Sequence, residues 1–359
     1  MRNTSLRNAT LTSFRSRTLP HSFRETGMAL LAPRNNRSTR RGFSLIELMV
    51  VIVIIGILMG MLFVGINSAM SAARVASVNA EIQNLGKAIS DFKLQYGVEP
   101  PSFIVLYEDA SYWNDPTPSE PAAITDDAER IRLRNVSKAT IRSIWPNYNF
   151  TASAYINNDT DSSDTFILNG AECLVFFLGG TADPNVATQW LPTGFSADST
   201  RPFTPGGNRV GPFAEMLPAR FVDTDSDGMP EYVDGLPSQT TPLQYFSSYD
   251  GTGYRARGLD DSYGTADDET IPDGLVSEYM QANGAASGAD PKATSPNASL
   301  KPQSFQIISP GADNEFGLGG VYNDDWQNQT AAQKTYFSGT RDLTTERDNI
   351  TNFKGGKLQ

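Results

Sequence analysis

The sequence predicts an α+β protein, a long N-terminal helix packed on a small antiparallel-sheet head with long loops. Three observations carry this. Leu48 to Ile66 is a run of nineteen residues without a polar side chain. An amphipathic stretch follows it without a break, and the remainder is rich in Gly, Pro, Asn, Asp, Ser and Thr with only short apolar runs.

The first element is a leader. Of the 359 residues, the first 42 contain nine arginines, one acid (Glu25) and no lysine, a net +8. The whole chain is at −11, so everything after Gly42 carries −19. The basic segment lacks apolar runs and reads as a targeting or cytosolic segment, not folded structure. Met28 offers a second start, which would leave the leader MALLAPRNNRSTRRG. The acidic remainder excludes a nucleic-acid partner, because a phosphate-binding surface needs clustered Lys or Arg. Its only cysteine is Cys173, and the single histidine, His21, lies in the leader. That rules out an internal disulfide, a Ser/His/Asp or Cys/His site and a His-ligated zinc after Gly42.

The second element is the apolar run. At about 1.5 Å per residue it reaches roughly the thickness of a hydrocarbon core, so it is predicted to span a membrane. Arg34, Arg37, Arg40 and Arg41 precede it and Arg74 is the first cation after it, which places the N-terminus in the cytoplasm and exports the acidic body. The run is longer than a secretory signal core and has no small-residue cut site at its end. Glu47 stands at its edge. A charged residue at the centre of a membrane helix costs on the order of 2.5–3.5 kcal/mol, so such a group needs a partner or the headgroup boundary.

The residues Gly42-Phe43-Ser44-Leu45-Ile46-Glu47, with two arginines before and the apolar run after, resemble the processing site of type IV pilins and type II secretion pseudopilins. The resemblance implies that a prepilin peptidase cuts after Gly42 and that the new N-terminal Phe43 is methylated. It also implies that Glu47 pairs with the Phe43 amine of a neighbouring subunit. The implied product is a homo-polymer, built with an inner-membrane assembly platform and minor pilins or pseudopilins. It is a single-pass inner-membrane protein that then enters a periplasmic or cell-surface filament. Many members carry a proline within this helix; here Gly56, Gly60 and Gly65 are the only weak points, and Gly56 and Gly60 have the G-x-x-x-G spacing that permits close helix approach.

After Asn67 the pattern becomes amphipathic. Val75, Val78, Ile82, Leu85, Ile89, Phe92 and Tyr96 are spaced 3, 4, 3, 4, 3, 4, with Arg74, Glu81, Lys87, Asp91 and Lys93 off the stripe. Gly97 and Pro100-Pro101 end it. One helix over 43–96 is expected, with a membrane part at 48–66 and an amphipathic part at 67–96. A stripe of three heptads without paired flanking charges favours packing on a head over an independent coiled coil.

The exported head, 97–359, has apolar runs at Phe103–Tyr107, Phe166–Leu168, Cys173–Leu178, Leu243–Phe246 and Phe305–Ile308, expected as strands or short helices. Periodicity leaves Cys173–Leu178 open between strand and buried helix, with Cys173 a core residue. Segments 112–130, 180–215 and 280–302 read as surface insertions or loops.

Two acidic loops stand out. Asp223, Asp225, Asp227, Glu231 and Asp234 occupy positions 1, 3, 5, 9 and 12 with Gly228 at 6, the spacing that wraps oxygen ligands round Ca2+. The twelfth position is Asp, as in dockerin-type loops, and Pro230 argues against a following helix. The second loop, Ser309-Pro-Gly311-Ala-Asp313-Asn-Glu315-Phe-Gly317, resembles the C-terminal loop of major pseudopilins that holds a structural calcium. The resemblance carries Asp313 over as a ligand, and Asp348 in the segment Asp348-Asn-Ile350-Thr-Asn352-Phe353, with Asp324 and Asp325 competing for the second role. Asp260, Asp261, Asp267 and Asp268 are read as surface charge.

The expected function is therefore a structural filament subunit and not an enzyme. The alternatives are a membrane-tethered calcium-dependent binding module or adhesin that never polymerises, and an exported hydrolase using a carboxylate pair, for which no aromatic-flanked pair stands out.

Overall fold

The computed structural model describes residues 42–115, 119–122, 124–157, 161–183, 185–186, 190–255, 278–281, 299–317, 319–322 and 343–358. The leader up to Arg41 lies outside them, as do Asp260, Asp261, Asp267, Asp268, Asp324 and Asp325. The chain divides into two units, residues 1–60 and 61–359.

Helix α1 runs from Leu45 to Tyr96, 52 residues without interruption. In the first unit its large apolar side chains are exposed all round. Its far end lies in the second unit, where Gly97 takes φ +85° and donates its N–H to the Lys93 carbonyl at 2.8 Å. A left-handed residue there turns the chain out of the helix at no steric cost to glycine.

Within the second unit the predicted stripe is the buried face. Val78, Ile82, Leu85, Ala88, Ile89 and Phe92 are buried, with Val75 and Tyr96 packed against the same core. Phe92 meets Phe213 and Phe177 edge-on, with ring centroids 5.3 and 5.9 Å away. Burying each large apolar side chain contributes about 1.5–3 kcal/mol, so this end of α1 is a core helix of the head and not a free coiled coil. Polar contacts fix its rotation. Arg220 makes a two-pronged ion pair with Glu81, and Asn79 donates to the Gly355 carbonyl at 2.9 Å.

Strand β1 (Ile104–Tyr107) pairs antiparallel with β2 (Thr165–Leu168), Ile104 opposite Leu168. Between them lies α2 (Asp127–Ile144), capped by Asp126, whose carboxylate accepts from the Ala128 N–H. It buries Leu133, Ser137, Ile141 and Ile144, and the Ser137 hydroxyl accepts the Val105 N–H at 2.9 Å. This helix was not expected from the sequence. Helix α3 (Gly170–Gly179) is the Cys173 run, resolved as a helix buried along its whole length. Asn169 and Glu172 form a reciprocal capping box at its start. Gly170 is required by contact, because a Cβ there would lie 2.0 Å from the Tyr245 carbonyl oxygen.

Short antiparallel pairs follow: β3 (Phe195–Ser196) with β4 (Arg209–Val210), and β5 (Phe221–Val222) with β6 (Glu231–Tyr232). The central sheet is antiparallel and takes β7 (Gln244–Ser247), β9 (Phe305–Ser309), β11 (Ile350–Thr351) and β12 (Gly356–Lys357) in the order β12-β11-β9-β7. Strand β8 (Tyr279–Gln281) instead pairs parallel with β10 (Gly320–Tyr322). A one-turn helix α4 (Leu343–Glu346) precedes β11. The architecture is α+β, with a long N-terminal helix followed by small, mostly antiparallel sheets.

The segments read as surface insertions are partly core. Trp113 and Ile124 are buried within 112–130, and Phe195 and Phe203 within 180–215. Trp145, Phe176, Phe195 and Phe203 form one aromatic cluster with centroid spacings of 5.1–6.2 Å. Single aromatic residues in polar stretches carried these segments inward, which a search for apolar runs does not detect. Of 280–302, the described ends include the buried Met280 and Ser299.

Candidate assembly and cation sites

The processing residues sit where α1 begins. Gly42 and Phe43 are exposed, Phe43 at 86%. Among the described residues a Cβ on Gly42 would meet nothing within 4 Å, so no contact with them demands glycine there. Ser44 precedes the helix and its hydroxyl accepts the Ile46 N–H at 3.3 Å, while Glu47 accepts the Ser44 N–H at 2.8 Å. Serine and glutamate three residues apart thus cap α1 reciprocally. The signal S-x-x-E before an apolar run was available in the sequence, and the reading of Glu47 as a charge seeking a partner in a neighbouring subunit left out this local acceptance of the Ser44 N–H. The same carboxylate also lies at the positive end of the helix dipole.

The C-terminal loop joins two distant segments. Gly311 (φ +76°) lies so close to Asp348 that a Cβ would be 2.5 Å from its carbonyl oxygen. The Asp348 Oδ2 accepts the Ala312 N–H at 2.5 Å, and Oδ1 is buried without a hydrogen-bond partner. Asp313 accepts the Glu315 N–H at 3.0 Å. Its carboxyl is raised above the usual range by desolvation, with the charge of Asp348 adding to the effect. The two carboxylates named by the resemblance therefore share one neighbourhood.

Asp234 supports this loop, not the one in which its spacing places it. Buried, it accepts from the Ser309 hydroxyl at 2.5 Å, the Leu236 N–H at 2.8 Å and the Gln239 amide at 3.0 Å, and the same Gln239 nitrogen donates to the Gly311 carbonyl at 3.1 Å. Burial raises its carboxyl pKa.

The other acidic loop connects β5 and β6. Asp223 accepts the Gly228 N–H at 3.2 Å and Asp227 the Met229 N–H at 2.7 Å, with Gly228 at φ +89°. Glu231 is turned back onto the Thr224 N–H and hydroxyl at 2.9 and 2.5 Å. Asp225 and Asp227 meet a residue the sequence reading did not single out. One carboxylate oxygen from each of Glu172, Asp225 and Asp227 lies within 4.8 Å of the others. Glu172, at the third position of α3, is fully buried. Its Oε2 accepts the Asn169 N–H at 2.7 Å, and its Oε1 is buried with no hydrogen-bond partner. Burial, with the Asp227 charge adding, pushes its carboxyl up to about 10. A second acidic group, Glu108, Asp161 and Asp164, has the same mutual reach.

Among the described residues, α1 is the one helix long and apolar enough to cross a membrane by length and composition. The prokaryotic N-terminal methylation motif matches residues 37–63. No curated protein and no solved structure matches the chain. The matched segment spans the cut site, Glu47 and most of the apolar run, and it supports a type IV pilin-like precursor processed by a prepilin peptidase and associated with the membrane.

Proposed function

We propose that this chain is the precursor of a structural subunit of a pilus-like filament, a type II secretion pseudopilus or a type IV pilus. The observation that carries the reading is the coincidence of the methylation motif with a helix whose apolar side chains are exposed in the chain alone. Such a surface in a monomer marks a membrane or a protein neighbour. Cleavage after Gly42 frees the Phe43 amine, which methylation then modifies. The N-terminus is cytoplasmic before assembly, and the acidic head is exported. In the filament Glu47 faces the amine of an adjacent identical subunit, and the assembly platform and minor subunits complete the machinery. Asp313 and Asp348 hold a structural Ca2+ in the C-terminal loop, where the buried, unpartnered Oδ1 of Asp348 is the oxygen left for it.

Two measurements test this. Mass spectrometry of the membrane-extracted protein is expected to find methylated Phe43 at the N-terminus, and any other N-terminus rejects the reading. Glu47→Gln separates capping from pairing, because glutamine still accepts the Ser44 N–H but carries no charge. Insertion is expected to persist while filaments are lost; normal filaments from this variant would eliminate the charge pair.

A further inference from the structure

We propose that Glu172 on α3, with Asp225 and Asp227 of the β5–β6 loop, forms a calcium site distinct from the C-terminal loop. The linear twelve-residue reading of this loop assigned Asp234 as its closing ligand. The fold sends Asp234 to Ser309 and Gln239 and brings in Glu172 from a helix more than fifty positions earlier in the chain.

Three carboxylates gathered on a loop would mean little alone, since exposed acidic clusters are common. The separate observation is Glu172 itself. It is fully buried, one oxygen is committed to its own helix cap, and the other has no hydrogen-bond partner. A buried acceptor left unmatched is unfavourable, and more so when ionised, unless a cation or proton satisfies it. The α3 cap therefore fixes Glu172 with one oxygen unmatched, and its carboxylate lies within reach of the neighbouring aspartates that would share an ion with it.

Oxygens within 4.8 Å of one another fit a calcium shell, which at about 2.3–2.6 Å per ligand is roughly 4.6–5.2 Å across. The set is all oxygen and holds three acids, which suits a hard divalent cation and no softer metal. Asp225, exposed and at the loop tip, supplies the mouth of the site, and Glu172 its floor. The inference concerns the head alone and does not rest on filament assembly.

The test uses the full-length protein in detergent, stripped of calcium, with Asp313→Asn and Asp348→Asn introduced to silence the C-terminal loop. Equilibrium dialysis with radioactive calcium counts the ions bound to this parent. Glu172→Gln and Asp225→Asn are each expected to remove one bound equivalent or to weaken it at least tenfold, while Asp234→Asn leaves it in place. Calcium should raise the melting temperature of the parent more than that of either variant, by mass action on the folded state. Glutamine at 172 keeps the cap acceptor, and Asp225 is exposed, so these two variants are expected to fold. The site is refuted if neither changes the count or the affinity, if Asp234→Asn removes the same equivalent, or if the parent binds no calcium below about 1 mM.

Discussion

Two portions of α1 obey opposite rules although one backbone carries both. From Leu48 to Leu58 the apolar side chains are between 44% (Ile55) and 60% (Leu58) exposed. From Val78 to Phe92 the stripe residues lie between 0% (Ile82, Phe92) and 4% (Leu85). The first portion is apolar on every face, so no single packing surface could satisfy it; the second restricts its apolar residues to one face and finds that surface in its own head. The difference teaches that the solvent each portion was built for can be read from the angular spread of its side chains.

If that division is right, substitutions should scale with it. The largest loss of head stability is expected for Phe92→Ala, about 3–5 kcal/mol in urea unfolding of the detergent-solubilised protein, from lost transfer energy plus a cavity among Phe177 and Phe213. A cost below about 1 kcal/mol would mean that the stripe is not core. Glu81→Gln comes next. It weakens the partner of a half-buried Arg220 and should cost about 1–3 kcal/mol, smaller because the arginine keeps the Tyr232 ring beneath it at 4.5 Å. Ile54→Ala should change head stability least, within about 0.5 kcal/mol, since its side chain is exposed within the chain. A clear loss of head stability from that change would break the comparison outright.

Much of the architecture was legible in the residues. The helix bounds, the stripe and the strands at Ile104–Tyr107, Gln244–Ser247 and Phe305–Ser309 follow from local periodicity and from Gly and Pro stops. Helix α2 was not, because its sequence DAERIRLRNVSKATIRSI interleaves charges with apolar residues and buries a serine and an arginine, Ser137 and Arg134, on its packed side. Arg134 is accepted there because it donates to the Tyr112 and Asp115 carbonyls. The candidate sites divide similarly. Gly42, Phe43 and Glu47 form one short contiguous signal. The neighbourhood of Asp313 and Asp348 followed from the resemblance, whereas the partnership of Glu172 with Asp225 and Asp227 depends on α3 meeting the β5–β6 loop, a long-range contact no linear spacing encodes.

The Glu81–Arg220 pair has a mechanical side. Arg220 closes the 3-10 turn Pro218–Arg220 that feeds β5, and its guanidinium lies over Tyr232 of β6. Tension applied along α1 would reach, through this pair, the strand pair whose connecting loop carries Asp225 and Asp227. A cation bridging that loop to α3 would brace the joint that takes the strain. Pulling on single molecules should then show a lower rupture force in chelator than in calcium, and equal forces would mean that the joint holds without an ion.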